Sequence, residues 1–207
     1  MAKTKIKLTP KDIIFGGING LIFGALLPVV LKVIANMSIS WSTEVFVAIF
    51  FTVIAAAGIW LGYLLSRFIP FLFQFAKFGA TGVANFAVDI GILNLLIFLS
   101  GEAVGIDYTI FKVISFTFAV TNSFLWNKFW TFKKDGTKEA GKEFLGFIGI
   151  SLVGLAVNAI VASVLVNIVG PQSGINVKTW ASVSAAAASV CVMFWNFIGY
   201  KFWVFKK

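Results

Sequence analysis

Apolar and polar positions divide this chain into six long apolar runs joined by short polar connections. The runs cover residues 13–35, 44–66, 78–100, 109–127, 144–169 and 179–200. Each approximates the ~20 residues that an α-helix needs to cross ~30 Å of hydrocarbon. The pattern predicts an all-α transmembrane protein, a six-helix bundle. A signal peptide competes for the first run, since Val33-Ile34-Ala35 resembles a cleavage site. The run is too long for an ordinary signal sequence, which favours a retained helix. Gly16, Gly20 and Gly24 give it a smooth face suited to close packing, either docking or dimerisation. Pro28 is expected to kink it, and Lys32 to snorkel to the far interface.

The connections set domains and orientation. Residues 67–77 are aromatic, bounded by Arg67 and Lys77, and too short to span. They read as an interfacial segment and a boundary: 1–77 holds two helices plus that segment, and 78–207 holds four. Residues 101–108 form an acidic loop, 133–143 a mixed-charge loop and 170–174 a Gly-Pro-Gln-Ser-Gly turn. Fourteen of the 17 Lys and Arg lie in the amino terminus, 67–77, 128–142 and the last seven residues. The opposite side holds Lys32, Lys112 and Lys178. Cations concentrate on the cytoplasmic side, which places both termini there.

The fourth and sixth runs end alike. Phe124-Leu125-Trp126-Asn127-Lys128-Phe129-Trp130-Thr131-Phe132-Lys133-Lys134 aligns without gaps on the last eleven residues, Phe197 to Lys207, with seven identities. Aromatics at headgroup level followed by lysines mark a helix leaving a bilayer. The third and fifth runs match more weakly, through Phe78 with Phe147 and Ala87-Val88-Asp89 with Ala156-Val157-Asn158. The last four helices therefore read as a parallel tandem repeat of two-helix hairpins.

Composition removes several function classes. The chain is 59% hydrophobic and 12% charged, against about 45–50% and 25% in soluble domains. The net charge of +9 sits in the connections, so it reads as a topology signal rather than a nucleic-acid footprint. With one cysteine, Cys191, and no histidine, there is no internal disulfide, no Ser-His-Asp chemistry and no metal site of the usual kind. No phosphate-binding G-x-x-x-x-G-K-[ST] loop is present, and no connection is long enough for a nucleotide-sugar transferase fold. A protein without cofactor and without enzymatic activity is expected.

The polar residues within the runs are the candidates. Asp89 lies mid-run, where an isolated charge costs ~2.5 kcal/mol or more, and Asn158 is its counterpart. Lys112 is the nearest plausible partner for Asp89. Asn122, Asn127 and Lys128 gather near one exit, and Asn196 and Lys201 near the other. Steps of three or four residues put Asn127 and Trp130 on one face, and Asn196 and Trp203 on its equivalent. Asn amides and Lys ammonium groups at headgroup depth suit a lipid phosphate or diphosphate. Interface snorkelling by Lys128 and Lys201, and belt anchoring by Trp130 and Trp203, are the plainer alternatives.

At these residues the chain resembles the GtrA-like family. The resemblance covers about 75–207 and rests on Phe78, Gly82, Asp89, Asn122, the Asn127-Lys128-Phe129-Trp130-Thr131-Phe132 exit, and Asn196 with Lys201-Phe202-Trp203-Val204-Phe205. It implies a bacterial inner-membrane protein of cell-surface polysaccharide synthesis. Such a protein moves a polyprenyl-phosphate-linked monosaccharide across the membrane, or serves as a scaffold for a membrane glycosyltransferase. The candidates carried over are Asp89, Asn122, Asn127, Lys128, Asn196 and Lys201. The first two helices depart from the four-helix pattern, and their glycine face suggests docking or a homodimer. A small-multidrug-type exporter using Asp89 is a third reading.

Overall fold

The computed structural model describes residues 6–34, 37–102, 104–134, 136–172, 174 and 176–206. Lys3, Lys5, Ala35, Ser173 and Lys207 lie outside the described residues, as does the side chain of Lys178. Among the described residues the chain is all-helical, and six helices are long and apolar enough to cross a membrane.

The helices are α1 (Pro10–Ile34), α2 (Trp41–Leu65), α3 (Leu72–Ser100), α4 (Gly105–Trp126), α5 (Ala140–Ser163) and α6 (Val177–Gly199). Three of them end in a wider π-turn: π1 (Asn127–Thr131) after α4, π2 (Val164–Val169) after α5 and π3 (Tyr200–Val204) after α6. Helix starts follow local chemistry. Thr9 donates its backbone N–H and hydroxyl to Asp12 Oδ2, at 3.0 and 2.8 Å, and Pro10 follows at the first helical position, where a missing N–H is harmless. Ser40 accepts from the N–H of Thr43 at the head of α2. Gly101 closes α3 at φ +77°, a conformation that a side chain would oppose.

The described residues form two compact units, 1–133 and 134–207. In the first, the glycine face of α1 is filled by α2. A Cβ on Gly24 would stand 2.8 Å from Ala48 Cα, and one on Gly20 would strike the Phe51 carbonyl. That face therefore serves docking within the chain. A Cβ on Gly62 would meet Ala76, and one on Gly91 would lie 3.0 Å from Leu26, so α2 and α1 both lie against α3. The first compact unit thus runs across the 77/78 boundary drawn from sequence. In the second unit α5 and α6 pair closely: a Cβ on Gly199 would stand 2.6 Å from Ile150, and the Trp195 indole donates to the Ile150 carbonyl at 3.1 Å.

One expectation changes. Residues 67–77 do not form a separate interfacial segment. The chain turns tightly at 66–71, around Pro70, and residues 72–77 are the first turns of α3. With 29 residues, α3 is ~43 Å long at 1.5 Å per residue, well over the hydrocarbon thickness. Its extra length lies at this end, where apolar Leu72, Phe73 and Phe75 continue the helical pattern without a breaker.

Candidate functional site

Along α3, Lys77, Thr81, Asn85 and Asp89 recur every fourth residue, so they form one polar stripe along a mostly apolar helix. The stripe starts at the end where α4 exits and runs past the middle of the helix. Its partners come largely from α4. Asp89 Oδ2 accepts from Lys112 Nζ at 2.6 Å, and Asp89 Oδ1 accepts from the Ser115 hydroxyl at 2.7 Å. One turn back, the Asn122 amide donates to Asn85 Oδ1 at 3.4 Å. Thr81 is fully buried, and its hydroxyl has no hydrogen-bond partner. An anion, a cation and hydroxyl and amide groups thus follow one another along a single helix–helix seam.

At the exit end the stripe closes on a carboxylate from α1. Lys77 Nζ donates to Asp12 Oδ1 at 2.5 Å, and the Trp130 indole N–H donates to the same oxygen at 3.2 Å. The Lys77 ammonium also lies 4.2 Å from the centre of the Phe73 ring. Asp12 and Lys77 are each 1% exposed. The Phe15 ring meets Trp126 and Trp130 edge-on, which seals this corner with aromatic carbon. A buried pair of this kind gains stability only if its remaining donors and acceptors are satisfied, and here Thr9 satisfies Oδ2.

The second unit has the same corner in sequence, with Gly146 where the first has Lys77 and Trp203 where it has Trp130. There the corner is open. A cavity of about 380 Å³ is lined by Lys134, Glu139, Lys142, Glu143, Gly146, Trp203, Val204 and Lys206. Lys134 Nζ donates to the Lys206 carbonyl at 2.8 Å, tying the loop to the chain end. Three ammonium groups, two carboxylates and an indole face are chemistry suited to a phosphorylated, hydroxylated head.

The remaining sequence candidates are distributed as follows. Asn127 is buried on π1; its amide donates to the Ser123 carbonyl at 2.9 Å, and its own oxygen has no partner. Lys128 is buried too, with its ammonium 5.8 Å from the Phe124 ring and 5.6 Å from the Phe129 ring. Lys201 is half-buried, 5.5 Å from Phe197 and 5.6 Å from Phe202. Asn196 Oδ1 lies beside Gly154 and has no partner. Asn158 is half-buried and makes no side-chain hydrogen bond among the described residues. The structure therefore joins Asp89 to Lys112 and Asn122 to Asn85, and sets Trp130 on Asp12. Asn158 joins none of these contacts.

Residues 77–205 match the family described as GtrA/DPMS, transmembrane domain. The chain belongs to that family. The GtrA/DPMS domain thus begins at Lys77, the first residue of the polar stripe, and takes in both exits. An uncharacterized membrane protein of Bacillus subtilis (strain 168), YngA, is 30% identical over 129 residues, covering 62% of this chain and 77% of that protein. No solved structure matches the chain.

Asp12, Lys77, Thr81 and Asn85 are site residues that the hydropathy pattern and the exit motifs do not single out. The four-residue spacing from Lys77 to Asp89 was a usable signal for three of them. For Asp12 there was a local one, Thr9-Pro10-Lys11-Asp12, which marks a helix start and a carboxylate turned back on it.

Proposed function

We infer that this GtrA/DPMS protein carries a polyprenyl-phosphate-linked monosaccharide across the bacterial inner membrane, without catalysing a reaction, for cell-surface polysaccharide synthesis. The observation that carries the reading is the stripe Lys77-Thr81-Asn85-Asp89 with its α4 partners Lys112, Ser115 and Asn122. A hydrated head crossing hydrocarbon needs hydrogen-bonding groups at successive depths, and such groups are rare in membrane helices unless they serve a path. Asp89 with Lys112 is the station farthest from the exit end, its charges cancelling until a head arrives. The prenyl chain stays in lipid. Both termini face the cytoplasm in this reading, and a glycosyltransferase that makes or uses the lipid is the natural partner.

The test is transbilayer movement of a labelled polyprenyl-phosphate hexose in vesicles reconstituted with the chain. The wild type should accelerate movement. Asp89→Leu/Lys112→Met replaces the pair with apolar groups of similar volume, a change that is commonly neutral or stabilising, so the protein should stay folded. Its rate should fall at least about tenfold, the effect of ~1.4 kcal/mol on the barrier. An undiminished rate in this variant would remove the stripe from the path. A wild type that moves no lipid but co-purifies with a glycosyltransferase would support the scaffold reading instead.

A further inference from the structure

The donors and the acceptor at the Asp12 corner come from different parts of the chain. Lys77 and Trp130 belong to the family-matched region, 77–205, whereas Asp12 and Thr9 lie before it. The matched region therefore contributes an ammonium group and an indole N–H aimed at one point, and among its described residues no acceptor for them there. Two donors converging on a single oxygen, beside the Phe73 ring, form the half-shell expected around a bound oxyanion. In the second unit Gly146 and Trp203 line a cavity together with Lys134, Lys142 and Lys206.

We propose that Lys77 and Trp130 form an anion-binding site that Asp12 occupies as a tethered ligand, and that a phosphate or carboxylate group competes with α1 for it. Asp12 is held by Thr9 within its own first turn, so displacing it requires only that residues 6–15 swing away from α3, while the Gly16, Gly20 and Gly24 face of α1 stays on α2. The N-terminal helices thus act as an internal competitor. That this competition gates a lipid head at the mouth of the stripe rests on the translocation reading. The anion site itself does not, and its test measures no transport.

The test uses the full chain in zwitterionic nanodiscs. Asp12→Ala should lower the thermal unfolding midpoint. Sodium formate or inorganic phosphate, exchanged for chloride at constant ionic strength, should restore it saturably, since a ligand that binds only the folded state stabilises it. Asp12→Ala/Lys77→Met should show no such recovery. A second measurement covers failure of Asp12→Ala to fold. In the wild type, amide exchange over residues 6–15 should rise when phosphatidic acid is added to the nanodiscs, and should not rise in Lys77→Met. Response to soluble anions alone assigns the site to a free anion; response to phosphatidic acid alone assigns it to a lipid head. Absence of both responses, or equal responses with and without Lys77, would overturn the proposal.

Discussion

The two exits of this protein share a sequence and differ in what surrounds it. Both follow Phe-x-x-x-Lys-Phe-Trp-x-Phe, and both wind as a π-turn. Phe132 N–H bonds back to the Asn127 carbonyl at 2.9 Å, and Phe205 N–H to the Tyr200 carbonyl at 2.7 Å. Both bury their last phenylalanine. Yet Trp130 is 3% exposed and Trp203 is 58% exposed. The motif sets the backbone and the turn, while the fate of its tryptophan depends on a segment outside the motif. Asp12 and Phe15 of α1 cover Trp130. Trp203 lies 5.6 Å from Trp195 of its own helix and otherwise borders a cavity. A repeated sequence can thus furnish one closed and one open version of a corner.

The largest effects should separate the two corners. Lys77→Ala strands the Asp12 carboxylate and should destabilise by ~3–5 kcal/mol. Gly146→Ala, at the matching position, meets only Val204 at ordinary contact distance and should stay within ~0.5 kcal/mol. Trp130→Ala should cost ~3–5 kcal/mol, while Trp203→Ala should stay within ~0.5 kcal/mol. Thermal or denaturant unfolding in detergent measures all four, and equal losses at Trp130 and Trp203 would erase the contrast. Next comes packing. Gly20→Ala drives a methyl into the Phe51 carbonyl and should cost ~1–3 kcal/mol, whereas a Cβ on Gly149 of the second unit meets nothing within 4 Å, so Gly149→Ala should be neutral or slightly stabilising. Smaller than the losses at Lys77, Trp130 and Gly20 is the coupling of Asp89 with Lys112. A double-mutant cycle with alanines should return ~0.6–1.7 kcal/mol, the scale of interhelical polar pairs in membranes.

Much of the fold was legible, because a bilayer imposes length and hydropathy on every span. All six runs became helices, and Asp89 found Lys112, the partner that their positions suggested. The helix ends were less legible. Residues 72–77 joined α3 because the tight turn around Pro70 leaves the apolar pattern after it free to continue as helix. The π-turns were harder to read: the shared exit motif winds as one at both of its copies, but Val164–Val169 does so without that motif. The buried Asp12–Lys77 pair was hidden for another reason. Its members are 65 positions apart, and each stood in a stretch where cations and acids read as ordinary surface charge. Burial of a charge is a property of the assembled helices, and only Lys77, wedged between apolar neighbours, hinted at it.

Lys32 and Glu44 form an ion pair across the α1–α2 connection, at the end remote from Asp12. The tip of this hairpin thus carries one positive and one negative group that cancel each other. Together with the glycine zipper behind it, this suits α1 and α2 to insertion as a preassembled pair. The partners of Asp12 stand 65 and 118 positions further along the chain, so that corner can close only once α3 and π1 have joined the hairpin.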